Sequence, residues 1–583
     1  MALLTVIITI ISLPAALFLW TAHALALNRE KVKAIGLPYV VRWISPINPF
    51  WLLYGSSFVR LCTRLGIATE NMQHIYSYGW EANERARIHL KHGDVFVLVH
   101  PGGISLSVAN AETIYDILRR RTDFRRNMEE MAVLNVYGKN LSTTDDQEWQ
   151  QHRKMTGVTF TEKNNEVVWI QSVKQATGML EYWSQKEEQP IRSTHDDTKV
   201  FTLNVLAAAL FNNVYHFEGF AEAKKENHKD DPSYQYRESL STILSSIIQI
   251  FIFGEDGLKA WWTPVSWKDA ANAMSTFRLY IHGLMDEERT LLRQGANVNQ
   301  HLVARLVRAC EDGRIADDGA PDELPEDAEK PGRNINLTEE EILSNLFVYA
   351  FAGNDTTSIA LTNLLVHLAA NPETQDWIAE EINHYLPHEV TERWSYNNFQ
   401  KMKRCGAVIM ESLRMCHPLS QLVKTTGSSS QILNVDGTQY KIPASTAVHC
   451  SLPALHSHPK YWGSTAMEWN PSRFISIDGT ENVSSVNTFE EERLAADTSQ
   501  HFMPFAWGQR VCPGKRFAQV ELVAALVVFF KNYRVILEVN DGETEHQARK
   551  RAWNTSLKVD HEGHMLHEMV KPESIGLKWV KKV

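Results

Sequence analysis

The sequence predicts a mainly α-helical protein with small β-sheets, built as a single large body behind an N-terminal apolar helix. Three observations predict it. Most segments beyond residue 110 carry apolar residues at helical spacing. The clearest extended stretch, GDVFVLVHPGGISLSVAN at 93–110, reads as two short strands joined by a Pro-Gly-Gly turn. Residues 2–27 contain no Asp, Glu, Lys or Arg.

The anchor comes first in the chain. At about 1.5 Å per residue, a helix over Ala2–Leu27 is about 39 Å long, against a hydrocarbon core of about 30 Å. Pro14 is expected to kink it, and Trp20 and His23 suit the interface. Arg29, Lys31 and Lys33 follow at once and belong on the cytosolic side. A cleaved signal peptide fits less well, because the run is long and no basic region precedes it. The expected division is 1–27 transmembrane anchor, 28–73 connector with Pro38, Pro46 and Pro49 among aromatics, and 74–583 catalytic body. No internal repeat appears. Polar inserts at 311–333 and 478–500 read as surface segments of that body.

Composition narrows the function. Hydrophobic residues make up 44% and charged residues 22%, which excludes a disordered, collagen-like or coiled-coil chain. Lys and Arg number 59 against 69 Asp and Glu, a net charge of −10, so no nucleic acid is expected as partner. The six cysteines (Cys62, Cys310, Cys405, Cys416, Cys450, Cys512) contain no CxxC pair and suit a reducing compartment.

The decisive segment is Phe505-Ala-Trp-Gly508-Gln-Arg510-Val-Cys512-Pro-Gly514, followed by the apolar helix FAQVELVAALVVFF. Cys512 stands just before a helix N-terminus, where amide N–H groups and the dipole favour a thiolate, the metal-binding form. Gly508 permits a tight turn under a flat ligand, and Gly514 permits close backbone approach. Arg510 suits a carboxylate, and Phe505 can shield the sulfur. A flat, carboxylate-bearing, thiolate-ligated group is haem. The segment resembles the haem-ligand loop, FxxGxRxCxG, of the cytochrome P-450 family.

Three further motifs resemble that family in the expected order, so the resemblance covers roughly residues 74 to the end. Thr338 to about Ala370 reads as one long helix opened by a Thr338/Glu341 capping box. Its centre, Ala352-Gly353-Asn354-Asp355-Thr356-Thr357, is similar to the family's AGxDT. A bend at Gly353 is expected to admit ligand. By resemblance, Asp355 and Thr356 are catalytic and deliver protons during dioxygen activation. Glu411-Ser-Leu-Arg414 is an ExxR on a helix, and Arg473 in Trp469-Asn-Pro471-Ser-Arg473-Phe474 resembles the family's third member of a buried Glu-Arg-Arg network. That network is structural. Trp149-Gln-Gln-His-Arg153 places an indole N–H and a guanidinium one turn apart, both suited to a haem propionate. His456 in Ala454–Gly463 is a further candidate propionate contact. After the ExxR helix the family often places an arginine; here Lys424 takes that place, which leaves that contact open.

The resemblance implies a membrane-anchored, microsomal type, with the long inserts similar to fungal members. It implies haem b (heme), with iron held by the Cys512 thiolate, and cofactor contacts from Trp149, Arg153, His456, Phe505, Gly508, Arg510 and Gly514. The implied reaction is monooxygenation of an apolar small molecule, in secondary metabolism. Electrons would come from NADPH through a separate cytochrome P-450 reductase, with cytochrome b5 as a second donor, since no GxGxxG segment is visible. Lys515 and Arg516 are candidates for the docking face. The implied location is the endoplasmic reticulum membrane, single-pass, with the body in the cytosol. Residues 120–148 and 239–254 are expected to line the substrate pocket. The rival readings are a haem-thiolate isomerase or dehydratase acting on a peroxide, and a non-catalytic membrane haem-binding protein.

Overall fold

The computed structural model describes residues 2–157, 159–186, 189–223, 232–294, 301–312, 337–388, 391–477, 488–559 and 565–582. Residues 313–333 and 478–487 of the predicted inserts lie outside them; the described rest of the second insert is not all surface, since Glu492 is buried in an ion pair with Arg404 at 2.7 Å. The elements that position the site are α1 (Ala2–Ile35), α2 (Pro49–Arg64), α3 (Asp146–Gly157), α4 (Glu162–Ser184), α5 (Thr194–Phe211), α6 (Pro232–Ser245), α7 (Ile247–Leu258), α8 (Val265–Arg293), α9 (Glu339–Ala370), α10 (Lys403–Met415), α11 (Lys515–Asn532) and α12 (Glu545–Ser556). One six-stranded sheet holds β1 (Tyr39–Val41), β2 (Val95–His100), β3 (Gly103–Val108), β4 (Arg125–Arg126), β5 (Gln421–Thr425) and β6 (Ala447–Ser451), in the order β1-β2-β3-β6-β5-β4. The other described sheets are two-stranded. The mainly helical body with small sheets is therefore as expected.

Helix α1 runs on past Leu27 to Ile35. Its second half joins the body: Leu25, Val32 and Ile35 are buried, and the Asn28 amide donates to His100 O at 2.9 Å. The side chains of residues 2–11, 13 and 14 lie outside the described ones. Among the described residues, no helix is long and apolar enough to cross a membrane. Residues 28–73, read as a connector, supply β1, which pairs in parallel with β2, and α2. The buried Arg42 guanidinium fastens this stretch by donating to Ile44 O, Ile75 O and Tyr76 O at 2.7–2.9 Å. Three backbone carbonyls thus satisfy a charge that would otherwise be costly to bury.

Helix α9 is the axis of the core. Its start is fixed by the expected capping box, with Thr338 and Glu341 bonding each other's backbone N–H. Helices α5, α10, α11 and α12 pack around it. Through the expected bend at Gly353, α9 continues as one helix. The glycine serves packing. A Cβ there would lie 2.9 Å from Leu206 Cδ2 on α5, so the missing side chain is what lets the two helices approach. Gly353→Val should overpack this contact at a cost of about 1–3 kcal/mol. The expected result is a lowered thermal midpoint of the holoprotein, partly recovered by adding Leu206→Ala.

Candidate active site

The Cys loop hangs between a short 3₁₀ turn, Gly508–Arg510, and the start of α11. Two residues enter the left-handed region, Ala506 at φ 62° and Gly508 at φ 80°. Glycine adopts this freely, whereas Ala506 is held there at some strain. The Cys512 N–H donates to Phe505 O at 2.9 Å, which folds the loop back under its own first residue. Cys512 is exposed by area, yet its thiol lies within electrostatic reach of Arg153 on α3 and of buried Tyr349 on α9. Its open side therefore faces the cleft between those helices.

The thiol is not pre-ionised as the helix N-terminus suggested. Burial pushes it up, and the Gly514 N–H together with the Arg153 and Lys515 charges does not reverse that. A bound metal would favour the thiolate by its own charge.

Beside the loop lies a cluster of cations. The Arg510 guanidinium donates to Thr144 O at 2.9 Å and to Asp145 Oδ1 at 2.5 Å, and stacks 4.5 Å above the Trp149 ring. Its other terminal nitrogen, NH1, is buried without a partner. Arg126 on β4 sits opposite Lys424 on β5 in the ladder. Burial, then the neighbouring Arg510 charge, holds Arg126 down to about 10. Burial likewise brings Lys424 down to about 8, with Arg126 and Arg510 adding to it. Asp145 is the one carboxylate that acts on all three. The cluster thus holds more cations than carboxylates, which suits a haem's two propionates.

Across the cleft, α9 opens a window. Between Ile342 and Ala370 only Ala352, Gly353 and Thr356 are not buried, and they share one side of the helix. The Thr356 hydroxyl donates to Ala352 O at 2.6 Å, leaving its oxygen lone pairs free to accept. Asp355 is buried beside it, one carboxylate oxygen held by the Asn354 amide at 3.0 Å, and Asn354 Oδ1 accepts from Thr202 at 2.6 Å.

The Glu411, Arg414 and Arg473 network forms as expected. Arg414 and Glu411 are fully buried and bidentate, at 2.7 and 2.9 Å, and Arg473 Nε donates to Glu411 Oε1 at 3.1 Å. His456 lies elsewhere than expected. It is wholly buried, accepts the Met503 N–H on Nε2 at 3.2 Å and packs on Phe502 and His417. It makes no described contact with Trp149, Arg153 or Arg510, so it supports the loop rather than the propionate cluster. Lys515 is engaged with Asp497 at 2.7 Å, and Arg516 lies over Phe399.

Arg126 was missed. Its sequence signal is the Arg125-Arg126 pair inside the expected pocket stretch 120–148; the pairing with Lys424 that gives it meaning is visible only across strands.

The family model "Cytochrome P450" matches residues 71–558. The chain belongs to the cytochrome P-450 family. It is 26% identical over 553 residues to a cytochrome P-450 monooxygenase of Arthrobotrys oligospora, covering 91% of each chain. It is 27% identical to one from Penicillium roqueforti over 79% of each. It is 25% identical to the phomenoic acid biosynthesis cluster cytochrome P-450 monooxygenase of Leptosphaeria maculans, over 89% of this chain and 90% of that one. These relatives are fungal, as the inserts suggested. Family membership makes the protein a haem-thiolate monooxygenase, and the donor set fits that cofactor. Cys512 would hold the iron, while Arg126, Lys424, Arg510, Arg153 and Trp149 would receive the propionates. The haem, when bound, supplies dioxygen activation. Cys512→Ser should abolish the thiolate-type Soret band of the reduced carbon monoxide complex; survival of that band would remove Cys512 from the iron.

Proposed function

We propose that this cytochrome P-450 inserts one oxygen atom from dioxygen into an apolar small molecule of secondary metabolism, with Asp355 and Thr356 as its catalytic proton donors. The observation that carries this is Thr356 at the α9 window with the buried Asp355 carboxylate as its neighbour in the helix. A peroxide isomerase would have no use for a buried carboxylate held by Asn354 next to an open hydroxyl. The named role of the Leptosphaeria relative supports a biosynthetic setting. Electrons come from NADPH through a separate reductase, with cytochrome b5 as a second donor.

The chain residues divide the work. Thr356 orients a water or proton at its open lone pairs, because the bond to Ala352 O fixes its rotamer. Asp355 hands protons to that side of the helix, and Asn354 keeps one of its oxygens from turning away. Thr356→Ala should still bind substrate and accept electrons. Losing a positioned acid–base group costs about 10²–10⁴ in the step it serves. The ratio of NADPH consumed to product formed should therefore rise sharply, with hydrogen peroxide released. An unchanged ratio would remove Thr356 from the mechanism. Turnover of a hydroperoxide without NADPH would favour the isomerase.

We also place the protein at the endoplasmic reticulum membrane, body in the cytosol. Supporting this are the uncharged run of residues 2–27 and its basic flank. An exposed apolar surface also supports it. Leu17, Phe18, Leu19 and Trp20 on α1, Phe50, Tyr54, Phe58 and Leu61 on α2, and Trp261 and Trp262 after α7 all face outward, Trp261 at 90% exposure. Helices α2 and α7 pack against each other, and Phe18 of α1 stacks on Trp43 at 5.6 Å. Removing residues 1–20 spares Leu25 and Asn28, which belong to the body's contacts. That truncation should release much of the holoprotein from microsomes, with residual attachment through the α2 surface. Full retention in the membrane fraction would argue against the anchor.

A further inference from the structure

The stretch 127–139 runs between two fixed points. At one end Arg126, in the propionate cluster, is laddered to Lys424 and donates to Met131 Sδ at 3.1 Å. At the other, the Asn140 amide donates to Ser344 Oγ on α9 at 3.1 Å. Between them residues 132–134 pack on α7, which leads into the exposed Trp261 and Trp262. Met128, Met131, Val133 and Val136 are only half-buried. The stretch thus forms a wall from the cofactor cluster to the membrane-side helix.

One ion pair fastens the middle of that wall. Glu130 lies in the short helix Met128–Met131, and among the described residues it makes the only ion pair of 127–134. Its partner is His449 on β6, 319 positions away. His449 Nε2 lies 3.0 and 3.2 Å from the two Glu130 oxygens, and the Asn127 amide donates to Glu130 Oε1 at 2.8 Å. Burial works against the His449 charge, but Glu130, with Glu81 behind it, outweighs burial and holds the imidazolium above its usual value. Burial likewise works against the Glu130 charge, yet His449, His100 and Asn127 hold it below the usual carboxylate range.

The surroundings leave the pair to each other. Burial pushes Glu81 and Tyr78 up, Tyr78 to about 12. Burial brings His100 on β2, and His89 behind Ser107, down to about 4, so both are neutral. Arg42 is spent on three backbone carbonyls, and Glu129 is exposed. Opposite His449 on β5 is Val423, so the adjoining Lys424 belongs to the other face of the sheet.

We propose that Glu130 and His449 are a proton-sensitive latch on this wall, positioning residues that hold 127–134 against the sheet and so set how fast an apolar ligand enters and leaves the cleft. This rests on the reading of the cleft as an apolar substrate site. The His449 contribution is fully present below its ordinary value of 6.5 and is lost as pH rises through its raised one. The Glu130 contribution is present above 4.5 and is lost as pH falls through its lowered value. The latch is therefore closed between the two and opens on the alkaline side as His449 loses its proton.

Hydrogen exchange of the haem-loaded protein, read by mass spectrometry on peptides covering 126–137, follows the latch without any ligand. Corrected for the intrinsic rate at each pH, exchange should rise about 10–100-fold as pH passes the His449 midpoint. Glu130→Gln and His449→Gln should show the fast rate throughout, whereas His449→Arg, which keeps the cation, should stay protected into the alkaline range. Peptides from α9 should not change and serve as the folded reference. Stopped-flow binding of clotrimazole, an apolar azole whose nitrogen shifts the Soret band on reaching the iron, reads access. Its association and dissociation should both quicken several-fold in Glu130→Gln. Exchange that ignores pH in the unmodified protein, or that is unchanged in Glu130→Gln, overturns the latch. Altered exchange with unaltered azole rates overturns its role in access. Failure of the Thr356→Ala coupling test would remove the proton-donor reading and leave both of these measurements standing, so the two are told apart.

Discussion

The buried pair between Glu411 and Arg414 is the constraint on which the rest of the site depends. A guanidinium has five N–H donors, and here every one is used. Two go to the Glu411 carboxylate and three to the carbonyls of His456, Ala466 and Glu468, at 2.7–3.0 Å. Glu411 in turn accepts from Arg473 and from the Asn470 N–H at 2.8 Å. Burying two charges is expensive, and it becomes tolerable when the geometry is this complete. Taking away either partner would leave an uncompensated buried ion at a cost of about 3–5 kcal/mol. The pair therefore fixes residues 456–473 in one place. The consequence runs on through His456, whose carbonyl Arg414 holds and whose Nε2 accepts the Met503 N–H. Two residues later Phe505 O receives the Cys512 N–H. The position of the sulfur is thus set, bond by bond, from an ion pair a hundred residues earlier in the chain.

Helix α9 supplies the opposing surface, and its odd residues have separate physical reasons. Gly353 is small because Leu206 on α5 comes within 2.9 Å of where a Cβ would be. Thr356 tolerates a helix interior because its hydroxyl returns to Ala352 O. Asp355 tolerates burial with the Asn354 amide donating to it at 3.0 Å. None of these needs a broken helix. A continuous helix with one unburied side, faced by a loop with one open sulfur, is enough to form the cleft.

What the sequence made legible was chemistry carried by neighbours in the chain. The ten residues from Phe505 to Gly514 contain the ligand, its turn glycine and its arginine, so the motif could be read whole. The Glu411-x-x-Arg414 spacing placed two charges on one helix face, and the capping box at Thr338 fixed a helix start. What escaped depends on distance or on the balance of opposing terms. Arg126 and Lys424 become one site only through a ladder that joins residues about three hundred positions apart. His456 was given the wrong neighbours, because its sequence context says nothing of Met503. The helix dipole was given too much weight at Cys512, because desolvation is invisible until the loop is seen packed. Likewise the end of the apolar run at Leu27 marks a change of composition, whereas α1 continues to Ile35 because Val32 and Ile35 find a sheet to cover.

These errors share a cause, and it bears on how the site is built. The fold assembles it at a cost: buried cations close to one another and a left-handed Ala506 raise the free energy of the chain. Burial first, and the neighbouring cations after it, bring Lys424 down to about 8 and Arg126 to about 10. Haem, when bound, would relieve the charge terms, its propionates neutralising the cations and its iron taking the Cys512 thiolate. Whatever binds the folded chain and not the unfolded one adds its binding energy to stability. A metal that deprotonates its ligand couples the two still more tightly. Haem is then part of what holds the Cys loop in shape, and the Glu411–Arg414 pair is what keeps that loop assembled in the right place to receive it.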